Sequence, residues 1–221
     1  MKAPVNPLRA YDSPRRREQA RATRRGILEA AQELFVERGY VGTTMQAVAE
    51  RARISPATVY SAFTNKRMLL TALVDVSIAG DDAPVPVLER PWVAELRAEP
   101  DRARRVRMLA RNGRLILERR APIDEVVRAA AAADSEIAAL WEAGKAQRLA
   151  GQRELLKIVA GPEGLRSRAT DVLYAIGSPE TYRLLVVDRG WSPDRFERWY
   201  AYAIERLLFR ISPLPPGSRP G

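Results

Sequence analysis

Apolar residues recur at helical spacing along most of the chain. Ile27, Leu28, Ala31, Leu34 and Phe35 fall at i, i+1, i+4, i+7 and i+8, one face of a helix. "ERGY" closes that helix, with Gly39 where a helix commonly stops. A second helix opens at "TTMQAVAERA". Thr43 reads as its N-cap, and Gln46, three residues on, as the other half of a capping box. Met45, Val48, Ala49 and Ala52 form its inner stripe. After Ile54 come Ser55 and Pro56, an N-cap followed by proline at the first helical position. The helix they start runs from Pro56 to about Ala62. Phe63 is apolar, and Thr64 or Asn65 caps a fourth helix, "NKRMLLTALVDVSIAG", which stops at Gly80.

"DDAPVPVLERPW" is a breaker-rich linker. Beyond it, helical patterns are expected over 101–119, 123–133, 135–159, 166–177, 179–188 and 193–209. No stretch alternates as a strand does, and no repeat is visible. Residues 1–13 are aperiodic and proline-bearing. Ser13-Pro14 offers a helix start, but the "RRREQARATRR" after it is polar all round. The tail "SPLPPGSRPG" has the composition of a disordered segment. The fold class is all-α.

Composition narrows the chemistry. The 221 residues include no cysteine and no histidine. Disulfides and thiolate metal sites are excluded, and the commonest metal ligand and neutral-pH general base are missing. No catalytic residue, metal site or cofactor is expected. Net charge is +10, which favours a polyanionic partner. The first 25 residues hold 8 basic and 2 acidic side chains, so a basic arm carries +6 of the excess. No apolar run reaches membrane-spanning length and no secretion signal opens the chain, so a soluble, cytoplasmic protein with no membrane partner is expected.

Two short helices joined by a tight turn make a helix-turn-helix. Here Met45–Ala52 and Pro56–Ala62 are joined by Arg53-Ile54-Ser55. Ala49 is small where they would cross. Ile54 and Val59 are available to pin the second helix inward, leaving Pro56, Ala57, Thr58, Tyr60, Ser61 and Ala62 nearer the surface. Its N-terminus carries a partial positive charge that favours phosphate.

The stretch "TTMQAVAERARISPATVYSAFTNKRMLLTAL" resembles the DNA-binding domain of the TetR family of bacterial regulators. Thr44, Ala49, Tyr60, Phe63, Lys66 and Leu69 match that family's pattern in register, and residues 24–73 carry the match. The resemblance implies an all-helical homodimer that binds a palindromic operator on double-stranded DNA and releases it when a small-molecule effector occupies the larger domain. By the same resemblance, Thr44 and Gln46 touch backbone or base edges. Ala57, Thr58 and Ser61 face bases, while Tyr60 and Lys66 meet phosphate. Ser55 caps the reading helix. A half-buried aromatic role for Tyr60 and a solvated role for Lys66 are the alternatives. Where the family commonly has glycine in the turn, this chain has Arg53, a position disfavoured if φ is positive but able to add a phosphate contact. Arg16, Arg17 and Arg21 in the arm are candidates for the minor groove.

The later chain offers fewer signals. "DVLYAIGSPETYRLLVVDRGWSPDRFERWYAYAIERLLF" resembles the closing helices of such regulators, which form a dimer interface. Phe196, Trp199, Tyr200, Ala203 and Leu207 make one apolar stripe, and Val172, Leu173 and Ile176 a second. Both could equally be intramolecular core. An effector pocket is expected among helices 101–159, with Met108, Leu115, Trp141 and Leu149 as apolar candidates and Arg111 or Asn112 as a polar handle. The expected organisation is a flexible basic arm (1–20), a helix-turn-helix domain (21–65), a helical ligand-binding and dimerisation domain (66–211) and a tail (212–221). Two further functional readings remain open on sequence: a related regulator that activates without a ligand, and an all-helical enzyme or carrier with an incidental basic arm.

Overall fold

The computed structural model describes residues 14–161 and 164–209. Among the described residues ten α-helices follow one another: α1 (Pro14–Gly42), α2 (Met45–Ala52), α3 (Pro56–Ala62), α4 (Lys66–Ala79), α5 (Pro91–Ala98), α6 (Arg102–Ala131), α7 (Ser135–Ala160), α8 (Ala169–Ile176), α9 (Pro179–Tyr182) and α10 (Pro193–Leu208). A π-helical turn, Arg183–Asp188, follows α9 directly. Among the described residues the one β-type pairing is an isolated bridge between Leu165 and Phe209.

The helix starts follow local chemistry. Ser55, Asn65, Asp134, Ser178 and Ser192 each cap a helix by accepting a bond from a first-turn backbone N–H. One expected cap moves by a residue. Thr44, not Thr43, caps α2, its hydroxyl accepting from the Ala47 N–H at 3.0 Å. Thr43 is fully buried, its hydroxyl 3.0 Å from the Leu34 carbonyl and 2.9 Å from that of Gly39. Its one proton is shared between these two carbonyls, beside the break of α1 at Gly39 (φ 70°, ψ 176°). Gln46 completes no capping box; its amide donates to Glu50 on the next turn.

Other boundaries differ from the sequence reading. The two helices expected over 101–119 and 123–133 are one, α6, running through Pro122. Proline inside a helix costs about 3 kcal/mol. Burial of Leu117, Ala121, Ile123, Val126 and Val127 on either side offsets it. The linker "DDAPVPVLERPW" contains a 3₁₀ turn, Val87–Glu89, and gives way to α5 at Pro91. Residues 14–20, expected in a flexible arm, form the first turns of α1. The remainder of that arm and the expected tail 212–221 lie outside the described residues.

Two cores organise the molecule. The first gathers Ile27, Leu34, Phe35, Val48, Val59, Leu69 and Leu70 around α1–α4, and Ile123, Val127 and Ile137 from α6 and α7 join it. The second gathers Val93, Leu96, Leu109, Leu156, Val159, Leu173, Phe196, Tyr200 and Ile204. α6 reaches both. α4, grouped on sequence with the later domain, buries Leu69, Leu70, Leu73 and Val74 in the first core.

The expected dimer stripe is largely interior. Phe196, Tyr200 and Ala203 are buried, with the Phe196 ring 4.9 Å from Tyr182 and 5.7 Å from Tyr200. The same face of α10 must close the second core, and these larger rings do so. Val172, Ile176 and Trp199 are half-buried, and Leu207 is exposed.

Candidate functional site

The surface around α3 is built by subtraction. Val59, 0% exposed, is its one buried residue and pins the helix to the first core. A seven-residue helix is marginal alone, so packing and caps hold it. Ser55 accepts from the Thr58 N–H at 3.2 Å, and the two hydroxyls lie 2.8 Å apart. The Phe63 N–H closes the far end on the Val59 carbonyl at 2.8 Å. What remains outward is small and polar: Ala57 and Ser61 are exposed, Thr58 is half-buried, and Tyr60 is 54% exposed. Thr44 and Gln46 are exposed on α2 beside it. The structure thus brings Thr44, Gln46, Ser55, Ala57, Thr58, Tyr60 and Ser61 onto two adjoining helices, with Arg53 in the turn between them.

Arg53 resolves the turn's geometry. Its φ is 56° and ψ 43°, left-handed conformation at a non-glycine residue. Its N–H bonds the Glu50 carbonyl at 3.1 Å and the Ile54 N–H bonds that of Ala49 at 3.0 Å, the paired bonds of a Schellman end. A glycine would hold this conformation without the Cβ penalty of about 1–2 kcal/mol. Arg53 is exposed, so its cation stands beside the turn.

Lys66 has an inward task that the sequence did not reveal. Its ammonium donates to the carbonyls of Tyr40 at 2.7 Å and Thr43 at 2.9 Å, and lies 4.3 Å from the Tyr40 ring centroid. Burial pulls its pKa below the usual lysine value. It fastens α4 to the α1–α2 turn and leaves one of three donors for any outside partner.

Arg24 was also missed. Its guanidinium lies 4.2 Å from the Phe63 ring centroid, directly after α3, and its Nε donates to Asp82 at 2.7 Å. Asp82 belongs to the segment after α4, so one side chain joins the end of α3 to that segment.

That segment walls a cavity of about 760 Å³. Val76 and Ile78 of α4, Leu109, Ile116 and Leu117 of α6, and Leu155 of α7 give it an apolar surface. Asp75, Arg120, Arg148, Gln152 and Tyr200 supply polar groups. Gly144 and Gly151, seven apart on α7, also line it; a Cβ at Gly151 would meet nothing within 4 Å. Gly113 and Gly177 leave room for the Tyr200 ring, since Cβ atoms there would lie 2.9 Å from its Cε1 and 2.2 Å from its hydroxyl oxygen. Burial raises the Tyr200 pKa, so the hydroxyl is neutral.

The pocket residues expected from sequence fall elsewhere. Asn112 and Leu115 line a smaller neighbouring cavity of about 200 Å³, and the Asn112 amide donates to the Met108 carbonyl on its own helix. Met108 packs on the second core, Arg111 is exposed, and Trp141 packs on the first core with the Lys145 ammonium 5.8 Å from its ring centroid. Leu149 is half-buried and lines neither cavity. The cavity-facing positions of α6 and α7 are instead Leu109, Gly113, Ile116, Gly144, Arg148 and Gly151. Helical glycines at i and i+7 were the available sequence signal.

A capped short helix presented on a three-helix core, with a helical cavity domain behind it, is a helix-turn-helix arrangement. Residues 27–73, the helix-turn-helix region, match the profile of "Bacterial regulatory proteins, tetR family". The uncharacterized HTH-type transcriptional regulator YvkB of Bacillus subtilis (strain 168) is 44% identical over 54 residues, 24% of this chain and 29% of that protein. The chain spans about a third of the length of the curated relatives it matches. Among solved structures, the SmeT–triclosan complex superposes with a TM-score of 0.63 at 22% identity, covering 90% of this chain and 98% of that one. AibR in complex with isovaleryl coenzyme A and operator DNA superposes with a TM-score of 0.53 at 22% identity, covering 84% and 97%. At these identities the likeness is one of fold.

Proposed function

We propose that this protein is a sequence-specific DNA-binding transcriptional regulator, a homodimeric repressor released from a palindromic operator by a small-molecule effector. The observation that carries the reading is α3: held by one buried valine and two caps, it turns every other side chain outward or sideways, an arrangement with no use in a closed core. Tyr60, Arg53 and the third donor of Lys66 grip phosphate, which positions without specifying sequence. Ala57, Thr58 and Ser61 face base edges, where the methyl of Ala57 suits thymine methyls. The exposed Arg16, Arg17 and Arg21 on the first turns of α1 extend the grip.

One short reading helix covers few base pairs, so two copies related by a two-fold axis are needed. Leu184, Val187, Tyr202 and Leu207 are large apolar side chains left exposed around α10 and the π-helical turn, and they are the surface for the second copy. The cavity receives the effector, and α4 with the segment after it carries the change to α3 through Arg24. No described helix is long and apolar enough to cross a membrane. The setting of this work is the cytoplasm, where the DNA is. An enzyme or carrier reading gains nothing from the outward face of α3.

Footprinting on DNA flanking the protein's own gene tests the reading. Protection of a two-fold symmetric site that weakens as salt rises is expected. Absence of a protected palindrome at moderate salt, with non-specific competitor present, overturns it.

A further inference from the structure

The polar end of the large cavity has more donors than acceptors. Arg120 is 8% exposed; its Nε donates to Asp124 at 2.6 Å, while its Nη1 is buried without a hydrogen-bond partner. Arg148 stacks over Tyr174 at 3.9 Å, and its Nη1 is likewise buried and unbonded, with the nearest carboxylate oxygen, of Glu180, 3.9 Å away. Both side chains line the cavity, one from α6 and one from α7. A Cβ at Gly144, one turn before Arg148, would lie 3.5 Å from Arg120 Nη2. Leaving a buried donor unmet costs about 1–3 kcal/mol, and more when it is charged. Gln152 adds one buried acceptor, Oε1, its amide N–H being engaged with the Gly177 carbonyl at 3.0 Å.

Three carboxyls stand near these groups: Asp124, bonded to Arg120 at 2.6 Å, Glu180, 3.9 Å from Arg148, and Asp75 on the cavity wall. Burial raises the pKa of Asp124 in spite of the adjoining Arg120, and burial raises that of Asp75 on α4. Asp81 and Asp82 at the cavity wall are already engaged by Arg90 and Arg24. The unmet N–H groups of Arg120 and Arg148 remain at the inner end, and a carboxylate matches paired guanidinium N–H geometry. The rest of the lining is aliphatic, and the absence of side chains at Gly144 and Gly151 keeps a channel open along α7.

We infer that the effector is an amphipathic monocarboxylate, its carboxylate held between Arg120 and Arg148 and its apolar body lying along α4, α6 and Gly151. The inference rests on the regulator reading for what binding achieves, but binding itself can be measured without DNA. Calorimetry on the full chain with hexanoate, decanoate and 2-naphthoate, against decanol and decyltrimethylammonium, is the test. At least one acid should bind with one site per chain, tenfold or more tighter than the alcohol, with the ammonium compound silent. Arg148→Gln should weaken the acid at least tenfold and leave the alcohol unchanged. Gly151→Leu, which fills the channel without touching a charge, should abolish acid binding while thermal unfolding shows an intact fold. Equal affinity for acid and alcohol, preference for the cation, no acid bound at millimolar concentration, or an unaffected Arg148→Gln each overturns the inference. Acid binding with no effect on a footprinted operator leaves this inference standing and sinks the effector-release reading instead.

Discussion

α3 and α7 place their small residues in opposite directions. α3 buries Val59 and shows Ala57 and Ser61 to solvent; α7 buries its apolar side chains at both ends and turns Gly144 and Gly151 toward an interior space. On α3, in the proposed reading, small side chains let the DNA surface come close. On α7, in the same reading, they leave room for the effector. The difference in energetics follows. The helix-turn-helix half is a dense core whose polar groups are met, Lys66 and Thr43 satisfying the carbonyls at the α1–α2 turn. The cavity half keeps buried guanidinium N–H groups unbonded and accepts glycines that each cost a helix about 1 kcal/mol relative to alanine. Polar groups are met around the outward helix α3, and left open around the cavity.

The sharpest way to break this contrast is at Val59. Val59→Asp puts a carboxylate where there is no partner and no water, at a cost of several kcal/mol. α3 should detach and DNA binding should vanish, while the second core, which Val59 does not touch, keeps helical content by circular dichroism. Retained operator affinity would show that α3 is held by something other than this residue.

Lys66 separates grip from support. Lys66→Met leaves the Thr43 carbonyl without its donor and the Tyr40 carbonyl with only the Thr43 N–H at 3.4 Å, so unfolding free energy in urea should fall by about 2 kcal/mol. Tyr60→Phe should leave unfolding unchanged, because no described bond holds the exposed hydroxyl, and should weaken DNA about tenfold, or ~1.4 kcal/mol. Combining the two changes, as the matching positions alone would suggest, confounds a fold defect with a binding defect. If Lys66→Met unfolds like the parent and loses DNA affinity, phosphate contact is its main task after all.

The contrast also explains what could be read in advance. Caps, turn and outward face of the helix-turn-helix lie within some thirty consecutive residues, so spacing alone located Ser55, Val59 and Tyr60. The cap placed on Thr43 instead of Thr44, and with it the capping box to Gln46, failed through a tertiary demand: Thr43 is buried against carbonyls of α1. The cavity draws on residues as far apart as Asp75, Gly113, Arg148 and Tyr200, which no local period links. Phe196 and Tyr200 read as an apolar stripe, and whether such a stripe faces a partner or a core depends on neighbours the sequence does not display. Pro122 read as a break for the same reason: the burial that offsets it comes from α1, α4 and α7. Lys66 matched in position, but its inward hydrogen bonds depend on where the chain turns at Gly39.

Gly151→Leu sharpens the α7 side by a smaller amount. Leucine is a better helix former by about 0.8 kcal/mol, and open space awaits its side chain, so the melting temperature should rise by a few degrees. A fall in melting temperature would mean that the space is too small for the chain, and that the cavity is not built to be filled.

Arg53 carries the smallest expected effect and the finest distinction. Left-handed φ at a residue with a Cβ costs about 1 kcal/mol, yet glycine also adds freedom to the unfolded chain. Arg53→Gly should therefore gain about 0.5 kcal/mol net, and Arg53→Ala should change stability little because it keeps the Cβ. Both remove the same charge. If the arginine meets phosphate, both variants should bind DNA more weakly, with the slope of log affinity against log salt reduced by about one. Stability that rises in the glycine variant alone, with a salt slope lowered equally in both, would show that the turn gives up backbone ease for one more cation beside DNA. Equal slopes in parent and variants would leave Arg53 a strained turn residue with no share in the grip.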